Sequence, residues 1–360
     1  MEEALSLSKI QWTDRTWNPV RGCSRVSEGC RNCYAERFAG RFAKPGEPFH
    51  LYAKGPTVSR FPLTDPYHNK HASGWTGKVA LVPEKLDEPL RWRKPSRVFV
   101  NSMSDLFHEA LSSVDIQKVF TVMAYATQHT FQILTKRPEK MQRFLSTMDQ
   151  WLERDHARDF IWPPIILAGD DWPKKYPGIQ RPWPLPNVHL GVSVEDQATA
   201  VERIPLLLKT PAAVRFVSYE PALGPVDFGR WVRDPLRNTV NYEDSEVQAP
   251  VPWLAPGIDW LIVGGESGPG ARPCDVAWIR SAVRQCREAG VACFVKQVGS
   301  FIAWNGCGLL ANEFPSGSSR SKELIFGHEM FHVTLKDRKG GDPSEWPDDI
   351  RIRQFPETPR

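Results

Sequence analysis

Cys23, Cys30 and Cys33, three of the chain's seven cysteines, fall within eleven residues. Gly22 and Gly29 immediately precede the first two and let the backbone fold around a common centre, as a metal or cluster site requires. An odd number of thiols with this clustering points to metal binding or redox work rather than to disulfides. Two chemistries fit three thiolates. One is an iron-sulfur cluster with one iron left open; the other is a zinc ion that takes its fourth ligand elsewhere. Cys286 falls on the inner face of an expected helix, and Cys274 and Cys293 have no cluster spacing, so core packing is the default for all three. Cys274, six residues beyond Gly268, is the one candidate hydrogen donor among them.

Positioning such a loop requires a scaffold, and the chain spells one out. Short β-rich runs recur at Val98-Phe99-Val100, Phe131-Gln132-Ile133-Leu134, Val188-His189-Leu190-Gly191-Val192, Val214-Arg215-Phe216-Val217, Trp260-Leu261-Ile262-Val263 and Ala292-Cys293-Phe294-Val295. Helical spacing separates several of them. Ile116, Val119, Phe120 and Met123 share one face, and Val276, Ile279, Val283 and Cys286 share another. This grammar predicts an α/β fold, a partial (open) parallel barrel of about six or seven strands wrapped by helices. A short strand is expected at Ile10-Gln11-Trp12 before the cysteines and a further one over Gly77 to Val82. After Cys33, the recurrence of Tyr34, Phe38 and Phe42 predicts a helix whose aromatic stripe seats the cysteine loop against the core.

The carboxyl ends of parallel strands are where chemistry is placed, and each expected end is polar. In order they carry Asn101-Ser102-Met103-Ser104-Asp105, Thr135-Lys136-Arg137, Ser193-Val194-Glu195, Ser218-Tyr219-Glu220, Gly264-Gly265-Glu266-Ser267-Gly268 and Lys296-Gln297. Such a series points to a polar ligand rather than to routine loop starts. Lys136, Arg137 and Lys296 suit a carboxylate or phosphate, with ion pairs to Glu195, Glu220 or Glu266 as the structural alternative. His108 reads as a hydrogen-bonding residue. The glycine cluster lacks the Lys-Ser/Thr ending of a phosphate-binding P-loop.

Irregular insertions are expected near 44–73, 155–186 and 229–257, and an irregular extension over 303–360, leaving 1–302 as the barrel. The net charge of +4, from 46 basic and 42 acidic residues, permits a polyanionic partner without requiring one. Trp75, Trp92 between Arg91 and Arg93, and Trp183 after Arg181 set aromatic groups beside basic ones, a pairing that suits nucleobases and phosphates. The first ten residues lack the basic segment and apolar core of a signal peptide, and no apolar run reaches membrane-spanning length, so a cytoplasmic location without membrane partners is expected.

Taken together, Trp17-Asn18-Pro19, the cysteine loop ending Cys33-Tyr34-Ala35-Glu36, Val100-Asn101-Ser102-Met103-Ser104-Asp105-Leu106-Phe107-His108, Leu134-Thr135-Lys136-Arg137-Pro138, Leu190-Gly191-Val192-Ser193-Val194-Glu195, Gly264-Gly265-Glu266-Ser267-Gly268 and Lys296-Gln297 resemble the phage-associated three-Cys-motif proteins of unknown function. The resemblance runs from about Lys9 to about Gly299. That family is similar to radical S-adenosylmethionine enzymes. The resemblance implies a four-iron four-sulfur (4Fe-4S) cluster on Cys23, Cys30 and Cys33, with S-adenosylmethionine bound at its open iron and cleaved to a deoxyadenosyl radical. It also implies an electron donor such as a flavodoxin or ferredoxin. The candidate cofactor ligands are then Asn101, Ser102, Ser104, Asp105, Ser193, Glu195, Arg137 and Lys296, whose hydroxyls and charges suit a ribose and an amino acid moiety. Lys136, Glu220, Glu266 and Cys274 are the candidate catalytic residues. A nucleobase or nucleic-acid substrate follows by analogy, and a zinc-stapled, non-catalytic nucleic-acid-binding protein is the alternative.

Overall fold

The computed structural model describes residues 8–55, 74–154, 159–162, 178–232, 257–304, 314 and 318–357. Seven strands form one sheet in chain order: β1 (Arg15–Trp17), β2 (Arg97–Val100), β3 (Thr130–Thr135), β4 (Val188–Val194), β5 (Val214–Tyr219), β6 (Trp260–Gly264) and β7 (Ala292–Gln297). The pairings are parallel, as in Trp17 beside Val100, Val100 beside Ile133 and Leu261 beside Cys293. With β1 and β7 at opposite edges the sheet is open, the α/β class expected from the repeated strands. Its central strands are buried end to end, polar His189, Ser193, Arg215 and Ser218 included, so alternation gives way to continuous burial. The strand before the cysteines is Arg15–Trp17 and not Ile10–Trp12: it is this segment that pairs with Val98–Val100, and its Trp17 ring packs on that of Phe131, centroids 5.8 Å apart.

The chain divides into two compact units, Met1–Gly191 with Lys209–Ala213 and Thr358–Arg360, and Val192–Leu208 with Val214–Glu357. In the first, helices α1 (Tyr34–Arg41), α2 (Ser113–Tyr125) and α3 (Pro138–Arg154) follow the cysteine loop, β2 and β3. A capping box starts α2: Asp115 N–H donates to the Ser112 hydroxyl, and the Asp115 carboxylate accepts from the Ser112 N–H. The expected face of Ile116, Val119, Phe120 and Met123 is buried. Helix α1 forms where expected but turns the other way. It buries Ala35, Glu36, Ala39 and Gly40, and leaves Tyr34, Phe38 and Phe42 exposed. Small side chains let this short helix approach its neighbours closely, so the aromatic stripe does not seat the loop against the core.

Residues 80–81 do form a strand, but it pairs antiparallel with Val20–Arg21 outside the main sheet. Part of the 44–73 insertion, 56–73, lies outside the described residues, as does 233–256 of the 229–257 insertion. The 155–186 insertion contains an antiparallel pair, Asp159–Trp162 with Ile179–Pro182.

In the second unit, α4 (Gln197–Leu208) and α5 (Val276–Ala289) accompany β5 to β7. Asp275 caps the N-terminus of α5 and a left-handed Gly290 ends it. The extension expected to be irregular is in good part a sheet. Cys274–Asp275, Ile302–Trp304, His328–Thr334 and Ser319–Ile325 make four strands in that order, the last two forming a hairpin. Residues 352–354 run antiparallel along β7, with Val295 N–H donating to the Ile352 carbonyl and Gln354 N–H to that of Cys293.

His189, near the start of β4, has both ring nitrogens buried without a hydrogen-bond partner among the described residues. Burial pushes its pKa down from 6.5 to about 4. The unfolded chain takes up this proton below pH 6.5 and the folded chain does not until about pH 4, so stability falls as pH drops through that window. Urea midpoints measured across it are expected to decline in the parent protein and to flatten in a His189→Leu variant.

Candidate functional site

The cysteine loop is set by its first residue. After Val20–Arg21, Gly22 adopts φ +88° and bridges to Ser104, and a side chain there would bring its Cβ 2.0 Å from the Lys78 carbonyl oxygen. Only glycine fits. Cys23 comes next, its thiol 3.5 Å from the Ser24 carbonyl oxygen. A 3-10 turn over Glu28–Cys30 carries the second thiol, and Cys33 is the N-cap of α1. All three thiols are partly buried. Burial pushes Cys23 up to about 12, with contributions from the Asp105 carboxylate and from Cys33, while Arg137 opposes the shift. Cys33 is raised by burial and by Cys30. The three are thus electrostatic neighbours, and a cation among them would reverse the cost of ionising them. No group of three His, Cys, Asp or Glu among the described residues converges as a ligand set for a single ion.

A buried polar network fastens this loop to the ends of β2 and β3. Arg137, 4% exposed, donates from Nη1 to Asp105 Oδ2 at 3.1 Å. Its Nε lies 2.9 and 3.0 Å from the two Glu109 oxygens. Its Nη2 reaches both the carbonyl (3.1 Å) and the hydroxyl (2.8 Å) of Ser24, the residue after Cys23. Asp105 also accepts from the Thr135 hydroxyl at 2.7 Å and from the N–H groups of Phe107 and Lys136. His108 completes the set. Its Nδ1 accepts from Ala110 N–H at 3.1 Å, which leaves Nε2–H to donate to the Ser24 hydroxyl at 2.8 Å. Burial and the nearby guanidinium lower its pKa, in keeping with a neutral ring.

Asn101 ends β2 in the left-handed region, φ 59°, a conformation asparagine tolerates better than most residues. Its side-chain oxygen and nitrogen are both buried without a partner among the described residues. Asn18 braces the turn after Asn101: its Oδ1 accepts from the Ser102 hydroxyl and the Met103 N–H, while the Ser104 hydroxyl donates to the Val20 carbonyl. Tyr34, at the start of α1, donates to the carbonyl of Ser102. Thus Arg137 and its partner Asp105 reach the cysteine loop through Ser24, Ser104 bridges to Gly22, Ser102 accepts from Tyr34, and Lys136 joins through its backbone N–H to Asp105. Ser24 and Glu109, which immediately succeed residues already singled out, join them unannounced, as does Asn18 of the Trp17-Asn18-Pro19 motif in its bracing role.

The second unit holds the other candidates, sorted into ion pairs. Lys296 Nζ lies 2.6 Å from Glu220, whose same oxygen accepts from Gln297 at 3.2 Å, the pairing anticipated as the structural alternative. Gly265 lies so close to Val298 that a Cβ would come 2.3 Å from its carbonyl oxygen. Glu195 instead pairs with Arg203, both deeply buried, and Arg203 also donates to the Ser193 carbonyl. Glu266 pairs with Arg272, which binds both carboxylate oxygens. Cys274 is 1% exposed, and burial raises its pKa to about 12, so its thiol stays protonated.

No helix among the described residues is long and apolar enough to cross a membrane. No curated protein and no solved structure matches the chain. A family described as a protein of unknown function (DUF5131) matches residues 7–341, and the chain belongs to that family.

Proposed function

We propose that this chain is an iron-sulfur enzyme of the radical S-adenosylmethionine type, with Cys23, Cys30 and Cys33 as the cluster ligands. The observation that carries the proposal is three partly buried, mutually interacting thiols on a loop that Gly22 bridges to Ser104, three residues after a buried amide, Asn101, whose polar atoms have no partner among the described residues. Three clustered thiolates suit the three ligated irons of a cluster whose fourth iron is left open, whereas a structural zinc would take a fourth donor from elsewhere. When bound, a 4Fe-4S cluster supplies the electron that cleaves the sulfonium of S-adenosylmethionine.

The chain's own residues have the complementary tasks. Arg137, locked by Asp105 and Glu109, holds Ser24 and so fixes the position of Cys23. His108, neutral, shares that hydroxyl. Asn101 offers both a donor and an acceptor to the amino acid end of the cofactor, and Ser102 and Ser104 retain acceptor capacity for its hydroxyls. A low-potential flavodoxin or ferredoxin is the expected electron source.

Anaerobic reconstitution with iron and sulfide should give a brown protein whose visible absorption bleaches on reduction, and which forms deoxyadenosine from S-adenosylmethionine under strong reductant. A colourless protein that keeps stoichiometric zinc through the same treatment would overturn the proposal in favour of a structural zinc loop.

A further inference from the structure

Helix α1 directs an unusual surface outward. Around the helix axis, Ala35, Glu36, Ala39 and Gly40 occupy the buried arc, and the outward arc carries exposed Arg41 and half-buried Arg37, which donates to Asn32 at 2.8 Å, along one flank and Tyr34, Phe38 and Phe42 along the other. The three rings are 56%, 45% and 40% exposed, and those of Phe38 and Phe42 touch, with centroids 5.0 Å apart. Large rings displayed in a row on a helix call for an occupant, because monomeric proteins rarely leave contiguous apolar surface open without a use.

The charges around the rings say which occupant. Between Arg25 and His50 the chain has Arg25, Arg31, Arg37, Arg41 and Lys44 against Glu28, Glu36 and Glu47. Glu36 is buried and held by Arg25 at 2.6 Å, and Glu47 accepts from the Lys44 N–H. Glu28 lies 4.0 Å from Arg31 across solvent, where such a contact is weak. The exposed surface therefore keeps a positive balance beside its rings. The tryptophans that the sequence offered for this purpose are engaged within the protein: Trp183 is buried, Trp92 meets Arg15 and His129, and Trp75 packs half-buried against the cluster of Ala39, Phe49 and Ala53.

We propose that the exposed face of α1 binds single-stranded nucleic acid, with Tyr34, Phe38 and Phe42 stacking on bases and Arg37, Arg41 and Lys44 meeting phosphates. Rings suit a single strand because unpaired bases expose their faces, whereas a duplex hides them. The surface begins at Tyr34, the residue after Cys33, so a strand lying on it is delivered next to the cysteine loop. Binding does not depend on what the cysteines hold.

Fluorescence anisotropy of a labelled, mixed-sequence single-stranded DNA with the full chain tests this. Affinity should fall steadily as salt rises, and the Phe38→Ala/Phe42→Ala variant should bind about tenfold or more weakly, from the loss of base stacking. Arg41→Gln should weaken binding and flatten the logarithmic salt slope by about 0.7. Circular dichroism confirms that the variants fold, which the exposure of these side chains favours. The proposal is overturned by no binding at low salt, by ring removal without effect, by a preference for the duplex, or by a surface that binds an acidic flavodoxin through these rings but no oligonucleotide. Oligonucleotide binding without deoxyadenosine formation would defeat the radical reading and leave this one standing; the reverse result would do the opposite.

Discussion

On the proposed function, replacing Cys30 by alanine is expected to abolish iron binding while leaving the fold intact: iron in the reconstituted protein should fall from about four atoms per chain to nearly none, with the melting temperature changing by no more than a few degrees. The asymmetry comes from the local structure. Cys30 ends a 3-10 turn whose hydrogen bonds are made by the backbone, Cys30 N–H to the Ser27 carbonyl and Cys33 N–H to the Cys30 carbonyl. Alanine preserves both. The thiol is only partly buried, so trimming it removes little packing. A cluster that keeps one iron free for a ligand has no spare thiolate, so the loss of one is decisive. Inductively coupled plasma analysis of iron and zinc, set beside differential scanning fluorimetry, checks both halves. Full retention of iron in this variant would remove Cys30 from the ligand set.

The second large effect is on stability. Arg137→Ala is expected to destabilise the protein by about 3–5 kcal/mol, the range found when one member of a buried ion pair is deleted and the other is left uncompensated. Arg137 is 4% exposed, and Asp105, its partner, is 5% exposed. Asp105 would keep the Thr135 hydroxyl and two backbone donors but lose its only ion-pair partner among the described residues. Lysine at the same position recovers part of the loss at most, because one ammonium cannot span Asp105, Glu109 and Ser24 as a guanidinium does. Glu109→Gln, by contrast, should cost about 1 kcal/mol or less, since that carboxylate is largely in solvent. Urea unfolding of the three variants orders them. An Arg137→Ala loss no larger than that of Glu109→Gln would show that the network does not hold the loop.

The strands of this fold were legible because burial on both faces writes them as short continuous apolar runs, and their polar ends were legible because the runs stop abruptly. The pairing of those ends was legible only in part. Lys296 and Glu220 were foreseeable partners, but Glu195 takes Arg203 from the following helix and Glu266 takes Arg272 from its own loop. Both choices are local in sequence and carry no periodic signal. Helix α1 shows a different limit. A spacing of four announces a face but not its environment, and here the small residues, not the rings, meet the protein. The hairpin of Ser319–Ile325 and His328–Thr334 escaped notice because its first strand is exposed along nearly its whole length and so lacks alternation. Asn101 was singled out as a polar strand end, yet its left-handed backbone and unmet amide became visible only in three dimensions.

An open parallel sheet presents peptide groups at its margins that any passing extended segment can template upon. Along β7 this is forestalled by the chain itself, because residues 352–354 occupy the hydrogen-bonding positions of Cys293 and Val295. Gln354 also receives the indole N–H of Trp260 on its carbonyl, at 2.9 Å, which ties the segment to β6 as well. These residues lie past the stretch matched to the family, which ends at 341. By taking up these hydrogen-bonding positions they leave this part of β7 no open edge on which an extended strand from another copy could pair.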